Sequence, residues 1–142
     1  MTLKDRAALT AQLIDHEGLR LKPYTDTVGK LTIGIGRNLS DRGITEAEAR
    51  AMLDADIDLS TQELTESFGW FAGLDVTRQR VLIDMHVNLG LYRLRRFSLM
   101  LAAIGRKDYT AAAQEMLASK WRTQVGRRAL TLAQMMKDGD DA

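Results

Sequence analysis

Two carboxylates and a hydroxyl lie within sixteen residues of one another near the start of the chain. Glu17 ends a helical pattern, Asp26 lies in a loop rich in turn residues, and Thr32 belongs to a strand-like stretch. Cleavage of a glycosidic bond needs one carboxyl group that protonates the leaving oxygen and a second, ionised one that activates water or stabilises positive charge. Glu17 and Asp26 could form that pair, although in most proteins two such acids are solvated surface residues.

The surroundings of the two acids favour different protonation states. Glu17 would feel the negative end of its own helix and the apolar neighbours Leu13 and Ile14, and both effects disfavour an ionised carboxylate. Asp26 lies in a polar loop, where we expect it to stay ionised. These surroundings would suit a general acid at Glu17 and a base at Asp26, but the spacing of the two acids does not by itself decide between catalysis and plain surface.

The elements that must position these groups can be read from caps and periodicity. Thr2 followed by Asp5 predicts a helix start, and the helix 2–17 ends before Gly18. The stretch 18–43 is rich in glycine, threonine and β-branched residues, which predicts a small hairpin sheet. Its alternation places Thr32 on the face opposite the aliphatic side chains of Leu31, Ile33 and Ile35.

The rest of the chain has helical periodicity. Thr45 and Glu48 form a capping box, which opens a predicted helix over 45–66 of about 33 Å. Glycine stops then separate shorter predicted helices, over 75–89, 96–104, 108–119 and 127–136. The prediction is one α+β, mostly helical domain (1–142): a small N-terminal sheet lobe (about 14–45), the connecting helix (45–66), and a helical C-terminal lobe (about 67–142) that also includes the N-terminal helix 2–17.

Composition narrows the chemistry further. The 142 residues include no cysteine and only two histidines, His16 and His86, so we expect no disulfide, no thiolate nucleophile, no metal site and no cofactor. We interpret His86 as a histidine with satisfied hydrogen bonds in or near the core. The net charge of +1 is unevenly spread, with a net −4 over residues 1–71 and a net +5 over 72–142. The second half could therefore face an anionic polymer.

The N-terminus has no pattern typical of export or membrane anchoring. Charged residues interrupt its first six positions, and the uncharged stretch from Ala7 to Ile14 is too short and too polar for a signal-peptide core or a membrane span. We expect synthesis and retention in the cytosol, without stable membrane insertion.

The segment around the two acids resembles the catalytic segment of the phage-type lysozymes. That family's usual form is EG-x-R-L-x-x-Y-x-D-x-x-G-x-x-TIG-x-G, and residues 17–36, EGLRLKPYTDTVGKLTIGIG, match every fixed position of it. The resemblance extends over nearly the whole chain. Its further matches are GITEAEARAML (43–53), MHVNLG (85–90), RRF (95–97) and SKWRTQVGRRA (119–129).

The resemblance implies roles for particular side chains. Glu17 would be the proton donor, Asp26 the second carboxylate, and Thr32 a residue that helps to hold the attacking water. Trp121 would precede a glutamine and an arginine that reach the cleft, with Arg128 as the partner of Glu17. The substrate-binding residues would be Tyr24, Gly36, Gln124 and Arg128.

The same resemblance implies an activity and a setting. The family cleaves the β-1,4 bond between N-acetylmuramic acid and N-acetylglucosamine in peptidoglycan, with inversion and without a metal. This chain would then be an endolysin, expected as a monomer in the host bacterial cytoplasm, released by a holin to act on the cell wall in the periplasm. It would not act on nucleic acid.

One position departs from the family pattern. Arg37 stands where a histidine is common after the TIG-x-G run, and alignment through the long helix sets it opposite Asp56. We therefore predict an ion pair between Arg37 and Asp56 that joins the sheet to the helix.

Two other functions compete with this interpretation. A lytic transglycosylase would act on the same substrate but would not require the second carboxylate, so Asp26 and Thr32 favour hydrolysis. A small basic nucleic-acid-binding helical module is also compatible with the arginines of the second half, which include Arg93, Arg95, Arg96, Arg122, Arg127 and Arg128. The acidic first half and the lack of a recognition-helix pattern argue against that module.

Overall fold

A computed structural model describes residues 1–141 of the chain. These residues form an α+β fold that is 69% helical, which confirms the predicted mostly helical class. One three-stranded antiparallel sheet comprises β1 (Arg20–Thr25), β2 (Leu31–Gly34) and β3 (Arg37–Asn38). The helices are α1 (Leu3–Glu17), α2 (Glu46–Ser67), α3 (Val76–Arg95), α4 (Ser98–Gly105), α5 (Tyr109–Ala118), α6 (Trp121–Val125) and α7 (Arg127–Asp138), with short 3₁₀ turns at Phe71–Gly73 and Gly139–Asp141.

The chain divides into two compact units. Unit 1 is Met1–Ala51 and contains α1, the sheet and the first turns of α2. Unit 2 is Met52–Ala142 and contains the rest of α2 and all later helices.

Local hydrogen bonds define where α1 begins and ends. The Thr2 hydroxyl accepts from the backbone N–H of Asp5 at 3.1 Å, and the Asp5 carboxylate accepts from the N–H of Thr2 at 3.0 Å. This reciprocal pair is the capping box that the sequence predicted. At the other end, Gly18 has a φ of +79°, which glycine adopts without steric cost, and the helix ends at Glu17.

The sheet of unit 1 is a meander with Thr32 on its central strand. Thr32 lies opposite Tyr24 on β1 and opposite Asn38 on β3. The side chain of Thr32 is buried, whereas its neighbour Leu31 is 45% exposed. The predicted alternation is therefore present, with the threonine on the buried face.

The predicted ion pair between Arg37 and Asp56 is wrong. The guanidinium of Arg37 binds Glu48, with nitrogen–oxygen distances of 2.6 and 2.8 Å. Glu48 also accepts from the backbone N–H of Thr45 at 2.9 Å as part of the capping box. The short connection after β3 leads directly into the first turn of α2, which brings Arg37 to Glu48, two helical turns before Asp56.

Unit 2 contains an apolar core. Phe71, Met85 and Leu94 are almost completely buried among side chains from α2 to α7. The other buried apolar residues of the described chain are Leu64, Leu74, Val81, Leu82, Met100, Ala103, Ile104, Ala112, Ala113, Met116, Trp121, Ala129, Leu132, Ala133 and Met136. Burial of so many apolar side chains supplies the main stabilisation of this unit.

The helices of unit 2 follow the predicted order, and short helical segments are added to it. α3 continues past its expected end, but Gly90 has φ of 79° and ψ of 166°, so the helix is broken at the glycine that the sequence marked as a stop. The helix α6 and the 3₁₀ turn Phe71–Gly73 were not predicted, because segments of five and three residues are too short to show a helical period.

Arg78 ties the start of α3 to the end of α7. Its Nε donates to the carbonyl of Met136 at 2.7 Å, and its Nη2 donates to that of Lys137 at 2.8 Å. The guanidinium also pairs with Asp75 at 2.9 Å and lies over the ring of Tyr109, 3.6 Å from its centroid. Four separate groups therefore hold one arginine in place.

His86 is buried between two polar side chains of α2, which confirms its interpretation as a satisfied histidine. Ser60 Oγ lies 2.7 Å from Nδ1, and Glu63 Oε2 lies 2.6 Å from Nε2. An ionised carboxylate can only accept, so Nε2 carries the proton and the serine hydroxyl satisfies Nδ1.

None of the helices within the described residues is long and apolar enough to cross a bilayer.

Candidate active site

Glu17 lies at the end of α1, against the turn between β2 and β3. A Cβ atom built on Gly36 would be 2.6 Å from Glu17 Oε2 and 2.9 Å from its Cδ, so the carboxyl group occupies the space beside this glycine. Glu17 is exposed, and Leu13 and Ile14 are 43% and 37% exposed. The apolar neighbours that were expected to disfavour ionisation of Glu17 therefore do not shield its carboxyl group from solvent.

Asp26 follows β1 and is held by the turn that leads to β2. Its Oδ1 accepts from the backbone N–H groups of Val28 at 3.0 Å and Lys30 at 2.8 Å, and its own carbonyl accepts from Gly29 at 3.1 Å. Within residues 1–141, Oδ2 receives no hydrogen bond. One oxygen therefore fixes the carboxylate, and the other is available to a water molecule or a substrate.

Thr32 and Tyr24 face each other across β1 and β2. The hydroxyl of Thr32 donates to the carbonyl of Lys30 at 3.0 Å, and its oxygen can still accept a hydrogen bond. The ring of Tyr24 is half-buried, with the guanidinium of Arg20 4.5 Å from its centroid. The sheet thus places Thr32 one strand away from the chain segment that ends in Asp26.

Unit 2 contains the other two residues expected to bind substrate. Gln124 is exposed on α6 and lines a cavity of about 510 Å³ together with Trp121, Phe97 and Leu89. The indole N–H of Trp121 donates to Asn88 at 3.1 Å, which holds the ring in the wall of that cavity. Sequence reasoning did not find this contact, although the motifs MHVNLG and SKWRTQ contain both partners.

Arg128 binds a carboxylate of its own unit. Its Nε donates to the carboxylate of Asp84 on α3 at 2.8 Å, and its Nη2 also contacts the Asp84 carbonyl at 3.3 Å. The expected pairing of Arg128 with Glu17 would join residues of different units, and it stays a prediction. The helical spacing gave no signal for this pair, because Asp84 and Arg128 lie on helices far apart in the sequence.

Electrostatics around the sheet are dominated by the pair that sequence analysis missed. The hydrogen bond from Arg37, followed by that from the backbone of Thr45, lowers the pKa of Glu48 from its ordinary value of 4.5 to about 2. The same contact raises the pKa of Arg37.

Across the described chain, no cluster of three or more histidine, aspartate and glutamate side chains could hold a metal ion.

The structure therefore places three candidate groups in one small unit. Glu17 comes from a helix end, Asp26 from a tight turn and Thr32 from the central strand, and Tyr24 and Gly36 belong to the same unit. Gln124 and Arg128 belong to unit 2. A carboxyl acid and a second carboxylate are the groups that hydrolysis of a glycosidic bond requires.

Comparison with known proteins identifies the family. The sequence model described as phage lysozyme matches residues 14–136. The chain is 25% identical to probable T4-type lysozyme 1 of Dictyostelium discoideum over 152 aligned positions, which cover 87% of this chain and 89% of that protein. It is 28% identical to a SAR-endolysin of Bacteriophage PS119 over 118 positions, which cover 79% of this chain and 66% of the phage protein. The chain belongs to the phage lysozyme family.

Family membership decides between the classes of function that the sequence left open. The chain is a glycoside hydrolase of the lysozyme type, and its substrate is peptidoglycan. The α+β fold with its small sheet and seven described helices is lysozyme-like. Neither the transglycosylase nor the nucleic-acid-binding module is favoured.

Proposed function

We propose that the chain hydrolyses the β-1,4 bond between N-acetylmuramic acid and N-acetylglucosamine, with inversion of configuration. The observation that carries this proposal is the state of Asp26: two backbone N–H groups hold one carboxylate oxygen and leave the other without a partner in the described chain. A fixed carboxylate with one available oxygen is suited to orient a water molecule, which an inverting hydrolase needs.

Each of the three groups has one role in this mechanism. Glu17 protonates the glycosidic oxygen as the bond to the sugar breaks. Asp26 removes a proton from the attacking water, and the oxygen of Thr32 accepts a hydrogen bond from that water. The transition state has oxocarbenium character, so the negative charge of Asp26 also stabilises it.

The substrate contacts are assigned to three further residues. Tyr24 belongs to the unit that carries the catalytic groups, and Gln124 lines a cavity beside the fixed indole of Trp121. An apolar ring beside an amide suits a sugar with an N-acetyl group. Arg128, whose guanidinium group pairs with Asp84, contributes a positively charged side chain in the unit that also contains Gln124.

The roles of Glu17 and Asp26 can be tested by clearing of purified sacculi. We expect Glu17→Gln to lose about 10²- to 10⁴-fold in rate, since that is the scale of a lost general acid. Asp26→Asn should lose a comparable factor. Asp15→Asn, an exposed acid on the same helix, is the matched control and should keep wild-type activity. Near-wild-type clearing by Glu17→Gln would refute the proposed mechanism.

The products separate this reaction from its alternatives. Hydrolysis adds one water across the bond, whereas a transglycosylase yields a 1,6-anhydro sugar that is lighter by that water. Mass spectrometry of the released fragments distinguishes the two products. Inversion of a β-linkage gives an α-configured reducing end, so a β anomer formed first in a proton NMR time course would contradict the inverting mechanism.

We also propose that the protein is a monomeric endolysin that accumulates in the host cytoplasm and reaches the wall through a holin lesion. Expression of the chain alone in a Gram-negative host should leave the culture turbid until the membrane is permeabilised with chloroform. Lysis without permeabilisation would contradict dependence on a holin. Sedimentation equilibrium of the purified protein should give the mass of a monomer.

A further inference from the structure

Among the glycines of unit 1, Gly36 is the one at which an added Cβ atom would come closest to a neighbouring atom. Its hypothetical Cβ would lie 2.6 Å from Glu17 Oε2, 2.9 Å from Cδ and 3.1 Å from Cγ. To restore ordinary van der Waals separation, the carboxyl group would have to move by roughly 1 Å. Glu17 is exposed and flexible, so such a shift would cost little stability.

Gly34 provides an internal comparison two residues earlier. Its φ is +72° and that of Gly36 is +68°, so both glycines adopt the left-handed conformation that strains other residues. A Cβ on Gly34 would meet nothing within 4 Å. Both positions therefore require a residue that tolerates positive φ. Only Gly36 must also lack a side chain, because Glu17 occupies the space where a Cβ atom would lie.

We propose that Gly36 is a positioning residue for Glu17. The absence of a side chain leaves the space in which the carboxyl group lies against the turn between β2 and β3. Any side chain at this position displaces the acid from the place where it protonates the leaving oxygen. This inference rests on the proposed role of Glu17 as the general acid, and it differs from a direct contact between Gly36 and the sugar.

The test compares Gly36→Ala with Gly34→Ala. Both variants should lose a similar amount of stability in urea unfolding, because both place alanine in a left-handed backbone. Only Gly36→Ala should lose kcat, by about 10²-fold relative to Gly34→Ala, since a displacement of about 1 Å at a reacting group has an effect of that size. Its KM on solubilised glycan chains should stay within about twofold of wild type, as expected when substrate binding is unchanged.

Variants of Glu17 combined with Gly36→Ala distinguish positioning of the acid from a direct contact between Gly36 and the substrate. Glu17→Gln and Glu17→Gln/Gly36→Ala should bind purified sacculi equally well in a co-sedimentation assay. In addition, Gly36→Ala should cost less activity in a Glu17→Asp background, because the shorter acid lies farther from residue 36. If the alanine variant does not fold, Gly36→Asn takes its place, since asparagine tolerates the left-handed region.

The outcomes are distinct. Equal kcat for the two alanine variants would overturn the inference, and so would a weaker binding of sacculi by the double variant. Activity retained by Glu17→Gln would instead refute the proposed function itself. An inactive Glu17→Gln together with an unimpaired Gly36→Ala leaves the mechanism standing and rejects only the role of Gly36.

Discussion

Units 1 and 2 are stabilised in different ways. Among the described residues of unit 1, only Thr32 is buried, and it is polar. In unit 2, all the buried apolar side chains form one cluster. Unit 1 depends on capping boxes, turn hydrogen bonds and glycines with positive φ, whereas unit 2 depends on burial of apolar surface.

The candidate catalytic groups and the apolar core therefore belong to different units of this chain. Glu17, Asp26 and Thr32 all lie in the unit without an apolar core. A site held by directional hydrogen bonds keeps polar groups at fixed positions without surrounding them with hydrocarbon. Substitutions in unit 1 should therefore act mainly on activity, and substitutions in the core of unit 2 mainly on stability.

The largest effect on stability is expected from the core of unit 2. Met85 is completely buried, so Met85→Ala should lower the free energy of unfolding by about 2 to 5 kcal/mol. Both tryptophans, Trp70 and Trp121, belong to unit 2, so urea unfolding followed by tryptophan fluorescence measures this unit. Leu21 in unit 1 is 83% exposed, and Leu21→Ala should change stability by less than about 0.5 kcal/mol. Equal losses for the two variants would contradict the contrast between the units.

An intermediate effect is expected at the buried histidine. Ser60→Ala leaves Nδ1 of His86 buried without its partner, which should cost about 1 to 3 kcal/mol. Thr61→Ala changes the next residue of α2, whose exposed hydroxyl bonds within its own helix, and should cost less than about 0.5 kcal/mol. If Ser60→Ala unfolds at the same urea concentration as wild type, the hydrogen bond to His86 contributes nothing to this core.

The smallest effect is expected at Glu48, and it depends on pH. Folding lowers the pKa of Glu48 to about 2, so its contact with Arg37 stabilises unit 1 fully above pH 4.5 and is lost as pH falls towards 2. Glu48→Gln should therefore lower the melting temperature at pH 7, and the difference from wild type should shrink between pH 4.5 and 2. Circular dichroism of the thermal transition measures this effect.

Glu46→Gln is the control for this pH dependence. Glu46 pairs with Arg50 one turn along the same helix, but both side chains are more than three-quarters exposed. Exposed pairs contribute little, so this variant should melt close to wild type at every pH. A difference between wild type and Glu48→Gln that does not change with pH would contradict the assigned ion pair.

The sequence predicted elements and their ends well because the signals for them are local. The pairs Thr2–Asp5 and Thr45–Glu48 mark two helix starts, and Gly18 and Gly90 mark two ends. The catalytic segment was also recognisable, because its fixed residues lie within one stretch of twenty. Each of these predictions depends only on residues close together in the chain.

Pairing between distant residues was predicted less well. Arg37 was assigned to Asp56 by alignment with the family through the long helix, but the connection after β3 decides which turn of α2 it meets. The apolar periodicity of α1 predicts one apolar side of the helix, yet none of its residues is buried. Periodicity does not say what covers such a side. Tertiary geometry, rather than local propensity, settles such contacts.

Arg78 attaches the start of α3 to the end of α7, and this contact affects how the protein folds during synthesis. Leu132 and Met136 complete the apolar interior, and the carbonyls of Met136 and Lys137 are the acceptors that Arg78 requires. A nascent polypeptide that has not yet emerged from the ribosome as far as residue 137 lacks both. Translation of unit 1 thus finishes long before unit 2 can close, and a prematurely terminated product would be a substrate for proteases rather than an enzyme.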